Sequence, residues 1–276
     1  LIPLRESARY LGEGNKEVAL VRNLLLAAGA FALALSMPGT GFAKTKSDAT
    51  FSFPKDEPIR IILFRPDLEV SSLGTSGLPT PNPDWTADAR KYLQDAFAKS
   101  QSQRAIEIVP MSELAGDDAS YLAEYQSLFR AVGGSVMLHN YALKLPSKKM
   151  ANGKYAFDWT LGPGVKRLGE LGGGRYGLFV FGYDAYATSG RKAMQIFTLI
   201  ASSAMGFGML PQGGQHYSYA SLVDLETGNI VWFNFFADKK GDVRTQEGAQ
   251  IRADKLLATL PLREGEVRPK ATTARK

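Results

Sequence analysis

The sequence predicts an α/β (α+β) domain: a mixed sheet of about five strands with helices packed on it. Three observations carry that expectation. Ile59–Phe64 (IRIILF) is β-branched and apolar at alternate and adjacent positions, as in a covered central strand. Between Asp84 and Val132 two amphipathic helical patterns flank a short strand-like run, AIEIV at 105–109. Near the C-terminus, Tyr217–Leu225 and Ile230–Phe236 flank Glu226-Thr227-Gly228-Asn229, a hairpin turn with a glycine available for the left-handed position. The predicted order is β-α-β-α-β-β-β-α, with a long apolar insertion before the final hairpin.

Residues 44–58 read as a polar, irregular linker, and 59–262 as one domain. Leu73–Pro83 (LGTSGLPTPNP) has the composition of a loop. Asp84 is placed to cap the first helix, on which Trp85, Ala89, Leu93, Ala96 and Phe97 share a face. Asp117 or Asp118 opens the second, with Tyr121, Leu122, Tyr125, Leu128, Phe129 and Val132 at helical spacing and an end between Gly133 and His139. Lys144–Gly164 has no sustained period and reads as a surface excursion, followed by a short helix at 165–171. Tyr176–Tyr186 (YGLFVFGYDAY) is the strongest strand. The last helix runs from about Thr245 to Leu260, its buried face being Ala249, Arg252, Ala253, Leu256, Leu257 and Leu260.

The N-terminal segment reads as an address. Arg22 supplies a charge, Leu24–Leu35 (LLLAAGAFALAL) is an unbroken apolar run, Pro38 and Gly39 break it, and Gly41-Phe42-Ala43 offers small residues where a signal peptidase reads. The run is shorter than the roughly 20 residues of a spanning helix. Residues 24–43 are therefore expected to be a signal peptide cleaved after Ala43, which releases the chain into the periplasm. Residues 1–23 are an upstream extension and n-region. The acidic lead (Glu6, Glu13, Glu17) does not suit an n-region, so translation is expected to start near Val18 or Val21. A genuine extension with a buried helix, or an uncleaved anchor, are the alternatives. Residues 263–276 read as a disordered basic tail.

Composition narrows the function classes. The chain has 276 residues, a net charge of +6, two histidines and no cysteine. The absence of cysteine excludes disulfides, thiol catalysis, thiolate metal sites and lipoprotein attachment. The basic residues are scattered rather than striped, which argues against nucleic acid as a partner. No catalytic residue, metal site or cofactor motif is assigned. His139 and His216 lack ligand-spaced partners and read as structural. Gly172, Gly174 and Gly177 match the letters of a dinucleotide fingerprint, but they precede a strand instead of joining a strand to a helix. Asp184 interrupts an apolar strand, and its expected partners are Arg191 or Lys192.

The insertion is the feature with most functional promise. Ala193–Leu210 (AMQIFTLIASSAMGFGML) carries no charge and follows Arg191-Lys192. A connection in a compact domain is normally about 4–6 residues. One reading makes it a contact surface for a membrane or partner, with Arg191, Lys192, Met194, Ile196, Phe197, Ile200, Phe207 and Met209 in contact. The other packs it over the domain's own sheet. Asp184 and Tyr186 are the candidate binding pair. Tyr183, Tyr186, Tyr217, Tyr219 and Trp232 read either as an aromatic platform or as core and cross-strand pairs.

Tyr176–Lys192 (YGLFVFGYDAYATSGRK), GMLPQGG at 208–214 and Ser218–Asn234 (SYASLVDLETGNIVWFN) together resemble exported proteobacterial proteins of the curli-secretion-channel and TolB N-terminal-domain superfamily. The resemblance implies a periplasmic partner-binding or envelope-assembly module. Curli-type channels form rings, so an oligomer is possible. The chain departs from that pattern in lacking a lipid-anchor cysteine and in carrying a Ser/Gly-spotted insertion where the channels have alternating strands. The expected function is a non-enzymatic envelope protein binding an envelope protein or membrane surface. A periplasmic ligand-binding or hydrolytic domain, or a secretion-channel subunit, are the alternatives.

Overall fold

The computed structural model describes residues 42–100, 106–142, 144–190 and 215–266. The candidate signal peptide up to Gly41, all eight candidate contact residues of the insertion, and the tail from 267 onward lie outside the described residues. Residues 41–276 constitute a compact unit.

The architecture is mixed α+β, as the sequence predicts, but the sheet has eight strands instead of five. The described strands are β1 (Phe42–Ser47), β2 (Ile59–Leu63), β3 (Asp67–Leu73), β4 (Pro79–Pro81), β5 (Ile106–Pro110), β6 (Tyr176–Ala187), β7 (His216–Asp224) and β8 (Ile230–Ala237). The helices are α1 (Pro83–Ser100), α2 (Gly116–Met137), α3 (Lys166–Gly172) and α4 (Gln246–Leu257). The main path through the sheet is β1-β8-β7-β6-β2-β5. Strand β6 is long enough to serve two partners along one edge: Tyr176–Leu178 pairs with β2, and Phe181–Ala187 pairs with β3, both parallel.

The three missed strands have a common physical signature. Each lacks an apolar run and depends on a neighbour for its backbone partners. β4 contains two prolines and sits at the margin beyond β3, where a missing N–H costs least. β3 alternates buried and half-exposed residues after Pro66. β1 is polar, yet it pairs antiparallel with β8 from Phe42↔Ala237 to Ser47↔Trp232. The linker expected at 44–58 is thus an edge strand followed by a docked segment. Phe53 is fully buried and its N–H donates to the Leu262 carbonyl at 3.0 Å. Arg263, assigned by sequence to a loose tail, is tied down too. Its guanidinium donates to the carbonyls of Pro54, Lys55 and Glu57.

Period-2 alternation along the strands gives the sheet two apolar faces, each covered by helices. On one face Leu178, Val180, Leu222 and Trp232 share a core with Leu93 and Phe97 of α1 and with Ala253 and Leu256 of α4. Burying each such large side chain contributes about 1.5–3 kcal/mol. On the other face Phe129 of α2 packs on Phe179 (5.2 Å between centroids) and on Tyr219 (5.5 Å). Two of the glycines of the GGGRYG stretch serve close packing: a Cβ at Gly172 would stand 2.5 Å from the Ile62 side chain and one at Gly174 3.1 Å from it, while Gly173 takes φ 66° after α3.

Local signals set the element ends. The first helix is capped by Asn82, not Asp84: Asn82 Oδ1 accepts the Trp85 N–H at 3.0 Å. α2 has no side-chain cap; it runs through Gly133-Gly134 to Met137 and ends in a π-helical turn, Leu138–Ala142. Thr245 caps α4, its Oγ1 accepting from Gly248 N at 3.0 Å. At the other end of that helix, Asn234 of β8 donates to the carbonyls of Lys255 and Leu256 at 3.1 and 2.7 Å. Those are two of the four carbonyls a helix C-terminus leaves without an intrahelical donor. Thr45 Oγ1 lies 3.1 Å from Asn234 Oδ1, so the same asparagine fastens the edge strand.

The β7–β8 turn offers a direct test of this packing. Gly228 has φ of 79° and a Cβ there would stand 2.1 Å from the Gly162 carbonyl oxygen, whereas Gly153, at φ 78°, has open space around it. Gly153→Ala is expected to cost about 1 kcal/mol, the strain of a left-handed alanine. Gly228→Ala is expected to cost clearly more, because backbone must also move. Urea unfolding of the two variants checks the ordering.

Candidate functional site

Three buried polar side chains, Asp184, Ser218 and Arg252, meet near the C-terminal end of β6 and the N-terminal end of β7, where the described chain stops at Gly190 and resumes at Gln215. Asp184 on β6 faces Arg252 on α4, with side-chain exposures of 1% and 0%. Arg252 Nη1 donates to Asp184 Oδ2 at 2.6 Å and Nη2 to Oδ1 at 2.8 Å, the bidentate fork that suits a guanidinium and a carboxylate. The remaining valences of Arg252 go to Ser218 Oγ (2.9 Å) and the Gly241 carbonyl (2.5 Å), while Nε has no acceptor among the described residues.

His216 completes the other side. It stands opposite Asp184 in the β6–β7 register, and its Nδ1 lies 2.9 Å from Asp184 Oδ1. An ionised carboxylate only accepts, so the Nδ1–H of His216 is the donor in this bond. The Tyr186 ring lies against the imidazole, 4.6 Å between centroids. The Tyr186 hydroxyl accepts from Val243 N at 3.2 Å. Burial, and then the Asp184 charge, push the Tyr186 phenol well above its ordinary value, so it stays protonated and neutral.

A second pair closes the cluster from outside. Arg244 stacks over the Tyr186 ring (3.5 Å) and the Trp85 ring (4.9 Å), and it grips Asp242 with Nε at 3.0 Å and Nη2 at 2.8 Å. Burial alone would raise the Asp242 carboxyl. Hydrogen bonds from the Arg244 side chain and backbone outweigh it and pull the group down to about 2.

Both candidate binding residues, Asp184 and Tyr186, therefore belong to one constellation, with their polar atoms turned inward on protein partners. Among the described residues Asp184 is paired with Arg252 and His216, and its expected partners Arg191 and Lys192 lie outside them. Its spacing puts Arg252 on the buried face of the last helix, where the structure has it. A buried arginine and a buried aspartate in one small domain were the available signal for the pair. His216 gains a carboxylate that sequence spacing could not supply, since the two residues are 32 positions apart. The five aromatics of the proposed platform do not share a surface. Tyr186 and Trp232 lie in the core under α1 and α4, and Tyr219 is buried under α2. Tyr183 and Tyr217 form a half-buried cross-strand pair at 5.6 Å. His139 stacks on Trp159. Among the described residues no three His, Asp or Glu side chains are grouped to hold a metal, and no helix is long and apolar enough to cross a membrane.

No protein-family model matches the chain, and no curated protein matches it. Among solved structures, the PelC dodecamer from Paraburkholderia phytofirmans covers 81% of this chain and 99% of its own, at 12% identity and a TM-score of 0.32. A variant of the same dodecamer aligns over 81% of this chain and 100% of its own, at 11% identity and a TM-score of 0.33. Likeness at this level leaves the reading of the site to its own geometry.

Two outcomes test that geometry. Asp184→Asn strands the Arg252 charge in the core and is expected to cost about 3–5 kcal/mol, much of which Asp184→Asn with Arg252→Met recovers. Chemical denaturation of the single and double variants measures both. The outer pair gives a pH signature. The Asp242 carboxyl is lower in the folded chain than its unfolded value of about 3.9, so its contribution is present above pH ~4 and is lost as pH falls toward 2. Asp242→Asn is expected to melt below the parent at pH 6 and to converge with it near pH 2.

Proposed function

We propose that this protein is an exported, non-enzymatic envelope protein that binds another envelope component through the segment between β6 and β7. The observation that carries the proposal is the position of the buried Asp184–Arg252–His216 cluster. It locks the end of one strand to the start of the other, beside the two points that residues 191–214 connect in sequence. Further bonds secure both feet: Thr188 N donates to the Leu73 carbonyl at 3.0 Å, and Ala185 N to that of Gln215 at 2.8 Å. A segment with fixed ends can be long at little thermodynamic cost, because closure entropy grows only with the logarithm of its length.

Three features support the remaining parts of the proposal. The uncharged run Ala193–Leu210 and the basic pair Arg191-Lys192 have the composition of a contact element for a protein or lipid surface. The Arg22–Ala43 pattern is that of an export signal. Asp184 and His216, which resemble the acid–base half of a hydrolytic site, are occupied with each other and with Arg252, Ser218 and Tyr186. That occupation supports a structural use of the pair.

The decisive experiment deletes Met194–Met209 and bridges the ends. The expected outcome is a protein that melts as the parent does, since the clasp lies entirely in β6, β7 and α4, but no longer co-purifies with membranes or with an envelope partner. A deleted chain that unfolds would show that the segment belongs to the core instead.

A further inference from the structure

A second feature lies away from the clasp and plays no part in the reading above. Lys148–Ala156 forms a small hairpin on the surface excursion. Lys149 bridges antiparallel to Tyr155, Ala156 N donates to the Lys148 carbonyl at 2.9 Å, and Met150 N to the Lys154 carbonyl at 2.8 Å. Gly153, at φ 78°, and the Asn152 side chain, which accepts the Lys154 N–H at 3.0 Å, shape the tip. The base is fixed to the domain. Trp159 stacks on His139 at 6.4 Å, its carbonyl accepts from Ile230 N at 2.8 Å, and Leu161 N donates to the Gly228 carbonyl at 2.8 Å.

This anchored hairpin presents an unusual surface. Met150 and Tyr155 are 41% and 39% exposed, two of the five exposed large apolar side chains among the described residues. Lys149 and Lys154 flank them, exposed and without a carboxylate partner among the described residues. The one carboxylate between Lys144 and Trp159 is Asp158, and Lys148 already pairs with it. Lys144 lies over the Tyr155 ring at 5.7 Å, so the ring carries a third cation beside it.

We propose that the Lys148–Ala156 hairpin docks the protein on an anionic phospholipid surface. Tyr155 and Met150 enter the headgroup boundary, and Lys149 and Lys154 meet lipid phosphates. The chemistry matches point by point. Tyrosine sits well at the headgroup level, its apolar ring buried and its hydroxyl in water. Lysine stems can lie along apolar surface while the ammonium reaches phosphate. Each lysine near such a surface strengthens binding about fivefold. A convex tip suits a plane, whereas a chain-like ligand would need a groove.

The test exploits the absence of cysteine from the full chain. Ala151→Cys places a single thiol at the hairpin tip for an environment-sensitive fluorophore. The expected result is a blue shift with vesicles containing phosphatidylglycerol, none with pure phosphatidylcholine, and none when the label is moved to Lys91→Cys on α1. Lys149→Gln with Lys154→Gln should weaken the response about 25-fold. Deleting Met194–Met209 should leave it intact, which separates this contact from the one proposed for residues 191–214. No shift on anionic vesicles, an equal shift on neutral ones, or indifference to the lysine substitutions would overturn the proposal. So would loss of the shift in a deletion variant that remains folded, since it would assign the lipid contact to the 191–214 segment.

Discussion

A carboxylate near the end of a covered strand cannot remain ionised without an immediate countercharge, and the rest of this domain is arranged around that requirement. The penalty for removing an ion from water is several kcal/mol even after relaxation. Asp184 meets it through the Arg252 fork, which in turn requires α4 to lie across the ends of β6 and β7 at one height and rotation. Ser218 and the Gly241 carbonyl then take the remaining guanidinium donors, and His216 takes a lone pair of the carboxylate. Such a pair does little for net stability compared with a well-packed apolar substitute. Its effect here is on register. Sliding β6 by one residue would turn Asp184 to the opposite face of the sheet, under α2, and leave both charges buried and alone. An apolar strand such as YGLFVFGYDAY has few other features that would penalise a slip.

The clasp also decides how the peripheral strands are held. With α4 fixed over β6–β8, Asn234 on β8 is brought under the last turn of that helix, where it satisfies two terminal carbonyls and meets Thr45 of β1. The edge strand is thus secured by side-chain bonds to an element that the ion pair has already positioned, as well as by its ladder. Lys46, exposed on this outer strand, is consistent with how proteins discourage further strand addition at a sheet edge.

Sequence reasoning could read the parts of the fold whose signal is local. β2, β5, β6, the β7–β8 hairpin and all four helices follow from apolar period and turn residues, and Gly228 takes the left-handed conformation its turn requires. The missed strands β1, β3 and β4 derive their structure from a neighbour's hydrogen-bonding edge, which no local pattern announces. The site divides in the same way. Asp184 stood out as a carboxylate in an apolar strand, and Arg252 as an arginine on an apolar helix face. Joining them required knowing that α4 crosses the end of β6. Sequence proximity points to Arg191 and Lys192, whereas the partner among the described residues is 68 positions away. His216 looked isolated for the same reason: antiparallel pairing, and not spacing, puts it opposite Asp184.

The topology finally separates the two contact regions proposed here. The segment 191–214 is rooted at the N-terminal end of β7, beside His216, whereas the lysine hairpin is rooted through Trp159–Leu161 at the turn that follows the C-terminal end of the same strand. At roughly 3.3 Å per residue, a strand of this length sets those roots about 25 Å apart. A distance of that order exceeds the Debye length of about 8 Å at physiological salt, so the charges of one region have little electrostatic influence on binding at the other. The connecting strand is also among the most completely buried in the domain and is bonded on both sides, which makes it a poor carrier of conformational change. The two roots are consequently suited to engage different surfaces at once, with the rigid sheet acting as the spacer between them.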